Sequence, residues 1–161
     1  MPYEKKIMGI DPGLASTGVG IVKGSSGKIL SYGFGCIETS PDNTTQERLF
    51  KIFNEISDII KNENPDGIVI EDIFSLPEYP KSGIILGKVS GALLCACSVN
   101  GVETAEIQVR LAKQILTGNG NAAKEQLEKA VRKSLNHKEK ISPFHASDAL
   151  ALAIVGLTRG F

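Results

Sequence analysis

Cysteine and histidine are scarce in this sequence, which has three cysteines and two histidines among 161 residues. The odd number of cysteines and their place inside apolar runs predict buried thiols in a reducing compartment, at Cys36, Cys95 and Cys97, and not a disulfide framework. Cys95 and Cys97 form a C-x-C pair, but no second Cys or His pair stands at zinc-ligand spacing. The sequence therefore argues against a disulfide-stapled protein and against a thiolate metal site.

Net charge is also lacking, because 18 basic and 18 acidic side chains balance to +0. A net charge of zero does not by itself indicate a nucleic-acid-binding protein, so a surface that binds nucleic acid would have to be a local basic patch. The two signs do separate along the chain: acids dominate between Glu38 and Glu78, and cations dominate between Glu106 and Lys140. We expect a basic patch, if the protein has one, in the last third.

Signals for secretion, membrane insertion and multiple domains are missing as well. The N-terminus has no apolar signal segment, and we expect no stretch of about 18 apolar residues that could span a bilayer. No repeat, low-complexity tract or linker interrupts the chain. These absences predict one domain over residues 1–161, in the cytoplasm and without a membrane partner.

Hydrophobic patterning predicts an α/β fold. Strands are expected at about 6–11, 16–22, 28–39, 68–72 and 102–107. The first three are joined by short turns and should form an antiparallel meander, whereas the apolar run at 68–72 is typical of a central parallel strand. A first helix is expected after the capping box of Thr44 and Glu47. Three more are expected at about 83–100, 108–116 and 122–135. The last helix should open with Ser142 as its N-cap and Pro143 at the first helical position.

The helix expected at 83–100 is apolar on more than one side, and its small residues Gly87, Ser90 and Gly91 would form a surface that lets a second backbone come close. A helix of this kind is buried on two sides. The second side could pack against another subunit or against the rest of the same chain, and the sequence leaves both open.

Asp11 is the ionisable residue around which a site could form. It ends the first apolar strand, and Pro12-Gly13 then turns the chain at once. On its own, Asp11 could simply cap that turn. Gly13, Gly18 and Gly20 do not make a phosphate loop, because the G-x-G-x-x-G pattern is absent and a strand follows.

Three other residues can join Asp11. Glu71 ends the central strand, and His145 and Asp148 share one face at the start of the last helix. Neighbouring carboxylates raise one another's pKa unless a cation offsets their charge, and oxygen ligands with few imidazoles suit Mg²⁺ or Mn²⁺ better than Zn²⁺. The pattern predicts a divalent-metal site, and two ions about 3.5–4 Å apart could hydrolyse a phosphodiester. Singly, His145 could fill a core edge and Asp148 could pair with a lysine.

Four blocks of sequence resemble the RuvC family of bacterial Holliday-junction resolvases. They are residues 9–13 (Gly-Ile-Asp-Pro-Gly), 70–74 (Ile-Glu-Asp-Ile-Phe), 118–120 (Gly-Asn-Gly, with Lys124 downstream) and 145–151 (His-Ala-Ser-Asp-Ala-Leu-Ala). The resemblance implies an RNase H-like fold: a five-stranded mixed sheet, three strands antiparallel and then parallel ones, with helices on both faces. It further implies a homodimer that works with the RuvA–RuvB branch-migration complex and nicks four-way DNA junctions symmetrically. The implied cofactor is Mg²⁺, at two ions per site, for which Mn²⁺ can substitute.

The same resemblance assigns roles to residues. The family's acidic ligands fall on Asp11, Glu71 and Asp148, and its third ligand, often Asp, is His145 here, as in some members. Its base-contacting aromatic falls on Phe74, which could otherwise be a core residue, and its lysines near the DNA backbone fall on Lys113 and Lys124. The resulting hypothesis is a junction-resolving endonuclease of recombination and repair. The alternatives are another RNase H-like nuclease acting on structured RNA, or a non-catalytic junction-binding module.

Overall fold

The computed structural model describes residues 3–73 and 77–160, and these form one mixed sheet with helices on both faces. The strands are β1 (Lys5–Asp11), β2 (Ser16–Ser25), β3 (Lys28–Glu38), β4 (Gly67–Glu71) and β5 (Thr104–Ile107). The helices are α1 (Thr45–Glu63), α2 (Pro80–Val99), α3 (Val109–Thr117), α4 (Lys124–Leu135) and α5 (Phe144–Arg159).

The sheet has the strand order β3-β2-β1-β4-β5. β1, β2 and β3 form the antiparallel meander, and β4 and β5 continue the sheet in parallel with β1. The predicted architecture of three antiparallel strands followed by parallel ones is confirmed. β4 crosses back to pair with β1, so the carboxyl ends of these two strands lie side by side.

Alternating side chains of the central strands supply two hydrophobic cores. Met8 and Ile10 of β1 point towards α1 and α2, whereas Ile7 points towards α5. The same alternation in β4 places Val69 on the α5 side. Because the central strands are buried on both faces, they need to be apolar at almost every position, which is how their sequences read.

The start of α1 was predicted correctly. The Thr44 hydroxyl accepts a hydrogen bond from the Glu47 backbone N–H at 3.2 Å, and the Glu47 carboxylate accepts one from the Thr44 N–H at 2.8 Å. This reciprocal pair satisfies two amide groups that the first helical turn leaves without partners. Asn64 then ends the helix in the left-handed region.

Two other helix starts differ from the prediction. α2 begins at Pro80, three residues earlier than expected, with the proline in its first turn. α5 begins at Phe144, and Pro143, not Ser142, is its N-cap. Pro143 has an extended conformation, with φ −71° and ψ 174°, and therefore lies just outside the helix that it was expected to open.

The cysteine prediction holds in part. Cys97 is buried and Cys36 is partly buried, but Cys95 is exposed. Cys95 and Cys97 lie on one helix, α2, where residues two apart point in different directions. The expectation of three buried thiols is therefore wrong for Cys95.

The outward face of α2 is largely apolar. Ile84 is 61% exposed and Leu94 is 36% exposed, and a side chain at Gly91 would meet nothing within 4 Å. Ser90 was expected on this small-residue surface, but it is buried among Val89, Leu93, Ala96 and Cys97 on the side that packs against the sheet. Only the glycines of the predicted trio face outward.

The same helix corrects the expectation that no segment could span a bilayer. By length and composition alone, α2 is long and apolar enough to cross a membrane. The estimate made from the sequence missed it because glycine, serine and two lysines break up the apolar run, while the mean hydropathy of the window stays high. A single helix of this kind is weak support for membrane insertion, and an apolar subunit contact has the same composition.

Candidate active site

Pairing of β1 with β4 brings the first two predicted ligands together. Ile10 stands opposite Ile70 in the parallel register, and Asp11 and Glu71 follow directly after them. In an open sheet of this order the two strands can be neighbours, and here they are paired. Their acids lie at the carboxyl edge of the sheet, where open α/β sheets usually bind ligands.

Helix α5 reaches the same edge because glycines let it lie directly on the sheet. A Cβ atom at Gly18 would overlap the carbonyl oxygen of His145, and one at Gly20 would lie 2.6 Å from the backbone nitrogen of Leu150. Gly9 of β1 is equally close to α5, at Ala149. A phosphate loop was the one role weighed for Gly18 and Gly20 from the sequence. Their structural role, which the sequence did not indicate, is to let the helix that carries His145 and Asp148 pack directly on the sheet.

Asp11 is bonded across the fold to the last helix. Its Oδ2 lies 2.7 Å from Nδ1 of His145, and Asp11 is only 5% exposed whereas the His145 side chain is 43% exposed. The turn that follows Asp11 is held instead by the Thr17 hydroxyl, which donates to the Gly13 carbonyl at 2.7 Å. The side chain of Asp11 thus contacts another element, in contrast to the turn-capping role that it could have had.

A cleft of about 390 Å³ opens at this edge. It is lined by six of the predicted site residues: Asp11, Glu71, Lys113, Lys124, His145 and Asp148. They come from β1, β4, α3, α4 and α5, so five elements meet here. The seventh, Phe74, lies outside the described residues.

The carboxyl groups of the cleft disfavour one another's charge. Burial, together with a hydrogen bond and charge repulsion from Asp11, raises the pKa of Glu71 to about 9. Burial and the charge of Asp11 raise the pKa of Asp148 to about 6. The hydrogen bond to Asp11 raises the pKa of His145. The positive charge of Lys124 lowers the pKa of Glu71 and of Asp148, but not enough to cancel the increase.

This donor set fits a hard divalent cation. Three carboxyl groups and one imidazole suit Mg²⁺ or Mn²⁺ better than Zn²⁺, and a cation would offset the repulsion that raises the carboxyl pKa values. Within residues 3–73 and 77–160, no three His, Cys, Asp or Glu side chains are already arranged to hold an ion.

Two lysines line the same cleft. Lys113 projects from α3, and Lys124 is the first residue of α4. The ammonium group of Lys124 lies 6.0 Å from the ring centroid of Phe144, and that of Lys140 lies 5.3 Å from it. Phe144 thus contacts both cations at the start of α5, a role that no sequence pattern indicated.

A mixed five-stranded sheet of this order, with acids at the adjoining ends of β1 and β4 and another at the start of the last helix, defines an RNase H-like nuclease. The chain superimposes on RuvC of Thermus thermophilus with a TM-score of 0.83 and 30% identity, over 95% of this chain and 93% of that one. With T. thermophilus RuvC in complex with a Holliday junction substrate the TM-score is 0.89 at 29% identity, over 96% and 94% of the chains.

Sequence comparison agrees with the fold. Residues 7–156 match the family described as crossover junction endodeoxyribonuclease RuvC. The RuvC protein of Carboxydothermus hydrogenoformans is 35% identical over 154 residues, which cover 96% of each chain, and that of Treponema denticola is 36% identical over 96% of this chain and 86% of its own. This chain belongs to the RuvC family of crossover junction endodeoxyribonucleases.

Family membership confirms the predicted fold, enzyme class and biological role. The protein is a hydrolase that cuts DNA at crossover junctions, in recombination and repair. The family also implies dependence on a divalent metal ion.

Proposed function

We propose that this protein, as a single nuclease domain over residues 1–161, resolves Holliday junctions by paired, symmetric nicks. The observation that carries the proposal is the cleft that Asp11, Glu71, His145 and Asp148 line together with Lys113 and Lys124. The acids suit a metal ion, and the cations suit a phosphodiester. Because its substrate would be junctions in cellular DNA, the cytoplasm is the proposed location of the enzyme.

Mg²⁺ is the proposed cofactor, at two ions per site, and Mn²⁺ has the same ligand preference. Asp11 would be shared between the ions, Glu71 and Asp148 would each hold one, and His145 would ligate an ion or position the attacking water. When bound, such ions activate water and stabilise the leaving oxygen of a phosphodiester.

The protein's own groups orient the reactants. A carboxylate can only accept hydrogen bonds, so Nδ1 of His145 carries the hydrogen that it shares with Asp11, and Nε2 is left for water or a ligand. Lys113 and Lys124 would bind the phosphate at the scissile bond or beside it, where their charge offsets that of the DNA. Phe74 is proposed, from the family resemblance, to stack on a base at the junction.

A homodimer is the proposed assembly, because symmetric nicking needs two active sites related by a two-fold axis. A two-fold interface has to be complementary to itself, and the outward face of α2 is largely apolar and includes two glycines, Gly87 and Gly91, that leave room for a second backbone. Burying that face against a second copy would also remove the reason to regard α2 as a membrane segment. The RuvA–RuvB complex is proposed as the partner on the junction from the resemblance alone.

Substrate selection tests the function. A synthetic four-way junction, a linear duplex of the same sequence and an RNA–DNA hybrid are incubated with the protein and Mg²⁺. We expect nicks at paired positions in the junction and little cutting of the other two. Preferred cutting of the hybrid would instead indicate a nuclease for RNA-containing substrates, and binding without cutting would indicate a junction-binding module.

A further inference from the structure

A second groove continues from the active-site cleft. It has a volume of about 510 Å³ and is lined by Gln108, Val109, Arg110, Lys113, Gly120 and Asn121. Val109 and Lys113 also line the active-site cleft, so the two spaces adjoin. A DNA strand that passes Lys113 in the cleft can therefore extend into this groove.

Arg110 is the cation that the groove adds. It is exposed and lies on α3 three residues before Lys113, which puts both side chains on one face of the helix. Across the described ranges, the ion pairs include neither Arg110 nor Lys113. Both charges are thus available to a ligand.

Gly120 lies next to the side chain of Arg110. A Cβ atom at this position would come within 3.0 Å of Cγ and 3.2 Å of Nε of Arg110. The absence of a side chain at Gly120 therefore leaves room for the arginine beside the loop between α3 and α4.

The loop itself has few free groups to offer an anion. The Gly120 N–H donates to the Gln114 side chain at 3.0 Å, the Asn121 N–H donates to Asn119 Oδ1 at 2.9 Å, and the Gly118 N–H donates to the Gln114 carbonyl at 3.0 Å. Recognition of a phosphate in the groove thus depends on side chains and not on a cradle of backbone amides.

We propose that Arg110 is a positioning residue that binds the backbone phosphate next to the scissile one, on the strand being cut. Side chains three apart on a helix lie about 5–6 Å from one another, and one DNA strand carries a charge every ~3.4 Å of helix axis. Lys113 and Arg110 can therefore contact neighbouring phosphates. The guanidinium group can donate two parallel hydrogen bonds to the phosphate oxygens. The proposal rests on the function proposed above.

Binding of a fixed four-way junction, measured without metal, and single-turnover nicking with Mg²⁺ test the proposal. Arg110→Gln keeps much of the packed side chain and removes the charge. We expect the Kd to rise about tenfold, the slope of log affinity against log salt to fall by about 1, and the nicking rate at saturating enzyme to fall as well, because the strand next to the scissile phosphate is then held less firmly. Arg159→Gln removes the same charge at the exposed far end of α5 and should leave all three quantities unchanged.

A neutral methylphosphonate then locates the contact. It replaces each of the two phosphates that flank the scissile one, in turn. At one of the two positions we expect the replacement to weaken binding by the wild type about tenfold and to have no further effect on Arg110→Gln. Equal losses for both proteins at both positions, or a wild-type Kd for Arg110→Gln, would overturn the proposal. A wild type that neither binds nor nicks junctions would instead refute the underlying function.

Discussion

Asp11 has a buried carboxylate, with Oδ2 2.7 Å from Nδ1 of His145, and this contact joins the first strand to the last helix. The sequence allowed the residue types at 11, 71 and 148 to be predicted as one site because each stands where an apolar element ends or begins. It could not predict the bond between Asp11 and His145. That bond spans 134 positions and depends on how closely α5 approaches the sheet.

The first prediction at the residue scale concerns Asp11→Asn. The substitution removes a ligand charge while keeping the shape of the side chain, so nicking in Mg²⁺ should be lost and junction binding should remain. Gel-based nicking and binding assays on the same junction measure the two effects. Asp42→Asn, an exposed position before α1, is the matched control and should cut normally. Nicking at the wild-type rate by Asp11→Asn would remove Asp11 from the proposed site.

The second concerns pH and Glu71. Because the pKa of Glu71 is raised to about 9 from 4.5, the native state keeps a proton that the unfolded chain gives up, and the metal-free protein should lose stability as pH rises between these values. The pKa of Asp148 is raised to about 6 and that of His145 is also raised, so both groups likewise make the metal-free protein less stable as pH rises. Glu71→Gln cannot release this proton, so its Tm in EDTA should fall less between pH 6 and pH 9.

Thermal unfolding of both proteins in EDTA checks that prediction. Added Mg²⁺ should raise the Tm of the wild type most at high pH, because the ion binds the native carboxylates, and should raise that of Glu71→Gln less. Parallel curves of Tm against pH for the two proteins would contradict the claim that burial and Asp11 raise the pKa of Glu71.

Among the elements, α5 decides whether a site forms at all. The strands and the α1 cap were predictable because their signals are local, namely apolar alternation and a capping pair. The start of α5 was misplaced by one residue, since Ser142-Pro143 matches a helix opening by residue type, whereas Pro143 is extended and is itself the N-cap. The close packing of α5 against Gly9, Gly18 and Gly20 was not predictable, because the positions of these glycines relative to one another depend on the register between β1 and β2.

The prediction for this element is that Gly18→Ala both destabilises the protein and abolishes nicking. The new methyl group would overlap the backbone of His145, and overpacking of this kind costs about 1–3 kcal/mol or more. Urea unfolding and junction nicking measure the two losses. Gly33→Ala on β3 is the matched control, because a methyl group there meets nothing within 4 Å. Equal stability and activity for the two variants would show that α5 does not need the close approach.

For the whole molecule, the question that remains is what covers the outward face of α2. The sequence showed that this helix is apolar on more than one side, but it could not distinguish Ser90, which faces the core, from Gly91, which faces outward. The two residues are adjacent, so the difference depends on the rotation of α2 against the sheet. Ser90→Arg would force the arginine into the core, so Gly91 is the position at which the dimer can be tested.

Gly91→Arg is therefore expected to give folded monomers, because the new charge lies on the apolar outward face. Sedimentation at micromolar concentration should give twice the 17.2 kDa chain mass for the wild type and the single chain mass for the variant. Gly33→Arg, another exposed glycine with open space around it, should remain dimeric. A wild type that sediments as a monomer would leave the face of α2 without its proposed partner and would remove the basis for paired nicking.

The most direct measurement of the central claim uses a supercoiled plasmid whose inverted repeat extrudes as a four-way junction. Two symmetric nicks within one binding event convert this plasmid to a linear product, whereas independent single nicks leave an open circle. With Mg²⁺ we predict linear product from the wild type, none from Asp11→Asn, and none from any protein on a plasmid without the inverted repeat. Open circles alone from the wild type, or equal cutting of both plasmids, would contradict the account.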